Sequence, residues 1–180
     1  MELPTPAARY LGEGDRDALA RFRCSRGAWY EEDVERFVAT RLVDYHESRR
    51  RDTDHTVIGL ELPQHGLVAV GAHEEDLTRD GDLLLTSTYL ELAAVSLPFQ
   101  GGVLTDAEPL DPDGKAVSVG RWLAEVLLSD NANRKRDPVV RAVVARENRR
   151  SLALCDRIGL RHVRDDEDTR FVQRWGAIAR

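Results

Sequence analysis

The order in which hydrophobic periodicity changes along the chain leaves few folds open. Residues 31–48 repeat Val34, Phe37, Val38, Leu42 and Tyr45 at three- and four-residue steps, the face of an amphipathic helix that ends in the charge run Arg49-Arg50-Arg51-Asp52. Residues 56–62 and 67–73 are β-rich runs on either side of Pro63-Gln64-His65-Gly66, whose proline and glycine suit a hairpin turn. After a polar break at 74–82, residues 83–95 are long enough for a strand with a bend or bulge. Residues 98–114, with Pro98, Pro109, Pro112, Gly101, Gly102 and Gly114, read as a loop; 117–128 then put Val119, Trp122, Leu123, Val126 and Leu127 on one helical face. A short apolar strand at 139–145, a helix at 148–158 stopped by Gly159, and strands at 160–164 and 170–175 complete the chain. Helix, three strands, helix, strand, helix, strands: the order predicts an α/β protein with a mixed sheet and helices on its faces.

Composition narrows the function. The chain has 180 residues, no repeat and no Gly/Ser linker, so residues 1–180 are expected to form a single domain. Its longest apolar-leaning stretch, 83–99, is interrupted by Thr86, Ser87, Thr88, Glu91 and Ser96, which excludes a bilayer-spanning helix. The first residues carry neither the basic nor the apolar region of a secretory signal, and a cytoplasmic location is expected. A net charge of −6 opposes a general nucleic-acid binder, and the arginine clusters 49–51, 134–136 and 146–150 lack interleaved aromatics for base stacking. Cys24 and Cys155 fit neither a metal-ligand spacing nor a disulfide framework; both are expected to be reduced thiols, and no metal is expected.

The segment VVRAVVARENRRSLALCDRIGL, residues 139–160, resembles the closing motif of the GNAT N-acetyltransferase superfamily, with actinobacterial-type members of which the segment RFRCSRGAWYEEDVERF also shares features. The motif positions are Asn148, Ser151, Leu154, Cys155, Asp156, Arg157, Ile158, Gly159 and Leu160. Upstream, LELAAVSLPFQGG is similar to the family's central strand running into its phosphate loop. The resemblance implies a mostly antiparallel central sheet and an acyl-CoA-dependent N-acyltransferase, with acetyl-CoA as co-substrate and an amine of a small molecule or peptide as acceptor. It places Ala94, Val95 and Leu97 against the pantetheine arm, Gln100, Gly101, Gly102 and Val103 at the pyrophosphate, and Asn148 and Ser151 near the thioester. Backbone amides of a glycine-rich turn at a helix start suit such an anion.

Two departures from the family pattern stand out. Cys155 occupies the position of a tyrosine that would protonate the departing thiolate; a thiol, with an ordinary pKa of ~8.5, can also donate a proton. The phosphate loop is interrupted after Gly102 by residues 103–114, so the cradle forms at residues 100–103 with a late helix, or residues 115–120 supply part of it. Period-two alternation puts Glu91 on the Tyr89 face of the strand, where a carboxylate can act as general base, and His73 is a second candidate. The plainer readings are a structural ion pair for Glu91, a solvated turn around His73, a helix cap for Asn148 and a buried thiol for Cys24. Two other functions compete: a GNAT-fold acyl-CoA-binding or regulatory module without turnover, and an aminoacyl-tRNA-acetylating toxin. The acceptor, the acyl-chain length and the oligomeric state, a homodimer included, are not set by the sequence.

Overall fold

A computed structural model describes residues 1–40, 42, 55–80, 83–106, 116–133 and 139–177. The strands are β1 (Glu2–Leu3), β2 (Ala7–Tyr10), β3 (Thr56–Leu62), β4 (Gly66–Asp80), β5 (Leu83–Val95), β6 (Val103–Leu104), β7 (Val139–Ala145), β8 (Arg161–Asp165) and β9 (Phe171–Ala177). The helices are α1 (Arg16–Ala20), α2 (Trp29–Thr40), α3 (Val119–Asn133) and α4 (Arg149–Arg157). Seven strands form one sheet in the order β2-β3-β4-β5-β7-β9-β8, and β5–β7 is its only parallel pair among the described residues. The fold is therefore the mixed sheet flanked by helices that the periodicity predicts, mostly antiparallel as the resemblance implies.

Each face of the sheet carries its own core. Val57, Val70, Ala72, Leu92 and Ala94 pack with Leu19 of α1 and Val38 of α2. Ile58, Leu60 and Ala69 pack with Leu123 and Leu127 of α3 on the other face. Gly71 allows that approach, because a β-carbon there would lie 2.6 Å from Leu127. Leu128 of α3 continues into a third group with Val140, Ala142, Cys155, Leu160 and Val172, which seats α4 on the α3 side.

Three elements depart from the sequence reading. The polar break at 74–82 is strand on both sides of residues 81–82, because β4 and β5 continue pairing from Glu74↔Tyr89 to Asp80↔Leu83. Backbone pairing between adjacent antiparallel strands satisfies the ladder whatever the side-chain polarity, so charge does not end a hairpin. Short β1, β2 and β6 were not expected, since runs of two to four residues carry no periodicity. The expected helix 31–48 begins earlier, at Trp29; its part at 43–48 and the clusters 49–51 and 134–136 lie outside the described residues, as do 107–115.

β5 and β7 hold the site together by failing to stay paired. They are in register only over Thr88–Leu90 and Val140–Ala142. Beyond Leu90 the two strands diverge, β5 keeping its partner β4 and β7 its partner β9. At the vertex the ladder shifts: Ala72 faces Leu92 and His73 faces Leu90, so Glu91 is the extra residue of a β-bulge. The bulge expected in residues 83–95 thus falls on the proposed base.

Candidate active site

A cleft of about 450 Å³ opens where the strands diverge. One wall is β5 (Ala93, Ala94, Val95) with Gln100 and Gly101; the other is α4 (Asn148, Ser151, Leu154, Arg157). The start of α3 (Ser118, Gly120, Arg121) forms one end, and Tyr30, Glu31 and Val34 of α2 lie with Cys24 across the opening. Six of the expected binding residues, Ala94, Val95, Gln100, Gly101, Asn148 and Ser151, line this one cleft.

The interrupted cradle closes on itself. Val103 and Ser118 form an antiparallel bridge, Leu104 N–H donates to Val117 O at 2.8 Å and Val119 N–H to Gly102 O at 3.2 Å. The intervening residues leave and return at one point, so Gly101 and the α3 start meet as they would without them. β1 braces the junction: Val103 N–H donates to Met1 O, and Thr105 N–H to Leu3 O, both at 2.9 Å. The Thr5 N–H and hydroxyl both donate to Asp106 Oδ1, at 2.6 and 2.7 Å, holding that carboxyl below the usual carboxylate range.

Not every expected loop residue serves the cleft. The N–H groups of Leu97, Gln100, Gly102 and Val103 donate to the carbonyls of Arg23, Leu97, Phe99 and Met1, so they hold the turn rather than face an anion. Leu97, Gly102 and Val103 do not line the cleft. Gly101, at φ +80°, has open space where a β-carbon would stand, and it is the loop position free for close approach. The Gln100 side chain is a clamp: its amide donates to Cys24 O (2.6 Å) and Val95 O (3.1 Å), and its carbonyl accepts from Arg150 at 3.1 Å.

α4 begins where the sequence motif begins. Asn148 Oδ1 accepts from Ser151 N–H at 3.0 Å, so the residue caps α4 while lining the cleft. Trp29 ties α2 to this wall, donating from Nε1 to Glu147 at 3.2 Å and meeting the Phe171 ring edge-on at 5.6 Å.

The three expected catalytic residues do not converge. Cys155 points away from the cleft into the core with Val140, Val144 and Leu160, and burial pushes its thiol upward; a proton donor there cannot reach a departing thiolate. Leu154, the preceding residue, lines the cleft and Cys155 does not. His73 is wholly buried and bonded through Nε2 to Asp130 of α3 at 2.8 Å, with Tyr10 also donating to Asp130. That places His73 on the α3 face as a tie between helix and sheet, not in the turn expected of it. Glu91 stands at the vertex, outside the cleft lining but two residues along β5 from cleft-lining Ala93, and accepts a 2.7 Å hydrogen bond from His55 Nε2.

Sequence reasoning missed His55 and Arg121. The His55–Glu91 contact spans β4 and 36 positions, and no spacing rule reports such a pair. Arg121 has a signal in hindsight, as a cation one turn into the helix that follows a glycine-rich loop. Cys24, on the cleft rim, is buried, and its thiol is pushed up to about 12 by burial and by Glu35 and Glu31. Among the described residues, no group of three or more His, Cys, Asp or Glu could hold a metal ion, and no helix is long and apolar enough to cross a membrane.

No family model matches the chain, and no curated protein does. Solved structures do match in fold. A protein from Desulfovibrio desulfuricans described as an acetyltransferase of the GNAT family aligns at TM-score 0.67 and 14% identity, over 96% of this chain and 99% of its own. The PaiA N-acetyltransferase of Thermoplasma acidophilum in complex with coenzyme A aligns at 0.61 and 13%, over 95% and 98%. A mutant AtaT toxin bound to the C-terminus of the antitoxin AtaR and acetyl-CoA aligns at 0.57 and 16%, over 93% and 91%. The chain has the fold of GNAT acetyltransferases.

Proposed function

We propose that residues 1–180 act as one acyl-CoA-dependent N-acyltransferase domain, transferring an acetyl group from acetyl-CoA directly to an amine of a small molecule or peptide. The observation that carries this reading is the divergence of β5 and β7 just past a bulged carboxylate, which opens beside β5 a cleft whose mouth is a helix start. Past Leu90 the cleft-side backbone of β5 lacks a neighbouring strand, so Ala93–Val95 can pair with the amides of the pantetheine arm as an added strand would. Gly101 and Gly120, at the start of the 15-residue α3, line the cleft with their backbone, and the helix presents its positive dipole end to the pyrophosphate; the Val119 and Arg121 N–H groups are taken by Gly102 O and Ser118 Oγ. Arg121, Arg150 and Arg157 add cationic side chains on the same rim.

Glu91 is the general base in this reading. It takes one proton from the acceptor ammonium; the freed amine attacks the thioester carbonyl carbon, the C–S bond breaks, and the electron pair leaves on sulfur. A backbone N–H near Val95 polarises the carbonyl. With Cys155 facing the core, the second amine proton reaches the thiolate through solvent. The bulge supports the base role because it takes Glu91 out of the ladder at the point where the strands part, two residues from cleft-lining Ala93.

Acetyl-CoA is expected to bind and to stabilise the fold by about 2.7 kcal/mol at a hundredfold excess over its dissociation constant. Calorimetry with no heat, or no melting shift at millimolar ligand, would remove the acyl-CoA reading. Acetyl-CoA binding with no transfer across an amine panel would favour the regulatory module instead. The closed cradle weakens that alternative's motive, and the charge of −6 weighs against the tRNA-directed one.

A further inference from the structure

We infer that His55 is the positioning residue of Glu91, tying one carboxylate oxygen so that the other is held for the acceptor ammonium. The inference rests on the acyltransferase reading and extends it to a residue outside the cleft. Its first support is geometric. His55 Nε2 lies 2.7 Å from Glu91 Oε2; the imidazole side chain is 0% exposed and the carboxylate 15%. Glu91 Oε1 has no hydrogen-bond partner among the described residues. One oxygen is fixed by a buried group that cannot turn to solvent, and the other is uncommitted.

The second support is topological. A bulged residue gains a free direction for its side chain but loses the ladder bonds that would fix its backbone. His55, just before β3, restores that constraint from two strands away: Thr56 faces His73 on β4, and His73 faces Leu90, so the imidazole reaches Glu91 across β4 at the rung where the register shifts. A base at the vertex of two diverging strands needs such a tether to keep a productive geometry, because a misplacement of about 1 Å is costly in transfer chemistry.

The third support is chemical. An Nε2–H donating to a carboxylate favours the ionised form, which is the form able to accept a proton. Other ionisable groups surround the pair. On β4, the buried Glu74 follows His73 toward the register position beside His55, and Asp76 stands further along, paired with Arg141 of β7. On β5, Tyr89 faces Glu74 and lies under the Arg141 guanidinium, 4.5 Å from its ring centre.

The test follows acetyl transfer from acetyl-CoA to glycinamide, a cationic amine, and to hydroxylamine, which is uncharged at neutral pH, between pH 5.5 and 9. Wild type, His55→Phe, His55→Gln and Glu91→Gln are compared. In His55→Phe the acidic limb for glycinamide is expected to move up by about one pH unit, with kcat/KM at pH 6 down about tenfold and KM for acetyl-CoA unchanged. His55→Gln, which keeps an N–H donor, is expected within about threefold of wild type. Hydroxylamine rates at pH 7 and above are expected within about twofold among the variants, since there that nucleophile needs no prior deprotonation. If the limb stays in place in His55→Phe while Glu91→Gln loses it, the positioning role is overturned and the base reading stands. If Glu91→Gln keeps the limb, the base reading falls. No transfer to either nucleophile by the wild type overturns both. Should His55→Phe fail to fold, nitrogen NMR of histidine-labelled wild type decides. The Nε2 resonance of His55 must shift in Glu91→Gln; an Nε2 blind to Glu91→Gln overturns the pairing.

Discussion

The two walls of the cleft are built in opposite ways. The α4 wall is local: Asn148 caps the helix, Ser151 and Leu154 follow at helical steps, Gly159 ends it at φ +84°, and Leu160 returns to the core, all within 13 consecutive residues. The β5–α3 wall is assembled from a distance. Val103 bridges to Ser118 and Gly102 O accepts from Val119 N–H, β1 pairs with β6 in parallel, and Gln100 fastens the loop to Cys24 and Arg150. A local wall can be read from spacing, and it tolerates change elsewhere. An assembled wall cannot, and it should fail when residues far from it in sequence are altered.

The strongest way to break this comparison is Leu3→Ala. Leu3 is buried against Gly102, Leu104 and the α3 start, although it lies about a hundred positions away from them. Deleting its side chain is expected to cost about 2–5 kcal/mol of stability and to weaken acetyl-CoA binding, while a local wall would be indifferent. Urea unfolding and calorimetry measure the two effects. Unchanged affinity in a folded Leu3→Ala protein would show that β1 does not support the cradle.

A second variant sharpens the same contact. A β-carbon on Gly102 would lie 2.7 Å from Leu3 Cδ1 and 3.0 Å from Phe99 O. Gly102→Ala is expected to destabilise by about 1–3 kcal/mol through overpacking. Because one of its two close neighbours is a flexible side-chain end, the double variant with Leu3→Ala should be less destabilised than the sum of the singles. Strict additivity in urea midpoints would place the strain on the Phe99 carbonyl alone.

The contrast also explains what could be read from the sequence. Strand 56–62, strand 139–145 and the capped helix after Asn148 coincide with β3, β7 and α4, because each declares itself within a few residues. Motif position located Cys155, yet its neighbour Leu154 faces the cleft and Cys155 does not; a motif aligns residues but says nothing of which side of a helix meets the ligand. His73 read as the end of a strand before an acidic turn, whereas continued pairing with β5 carries the strand past it and buries its ring against Asp130. His55 and Leu3 were invisible because their partners lie 36 or more positions away.

On the local wall the expected effect is smaller. Asn148→Ala removes the cap to Ser151 N–H and should cost about 1 kcal/mol, with a modest loss in acetyl-CoA affinity. Asn148→Asp and Asn148→Ser keep an accepting oxygen and should recover the stability. Thermal melts separate the roles: recovery of stability without recovery of affinity would show that Asn148 contacts the substrate as well as capping α4.

The smallest effect probes the brace of the assembled wall by pH. Asp106 accepts two hydrogen bonds from Thr5, and these hold its carboxyl below the ordinary carboxylate value in the folded protein. A depressed folded pKa means the unfolded chain binds the proton more readily. The contribution is therefore complete above the unfolded carboxylate value of ~3.9 and is lost as pH falls through the lower folded value. Because Asp106 is exposed, solvent screens the bonds and the effect is small. Asp106→Asn removes the proton equilibrium, so melting temperatures of wild type and variant should differ most near neutral pH and converge below about pH 3. Thr5→Ala, which keeps the backbone donor but not the hydroxyl, should fall between them. A difference that persists unchanged down to pH 2 would mean that the carboxylate's charge does not tie the N-terminus to the excursion, and that β1–β6 backbone pairing alone holds the far side of the cradle.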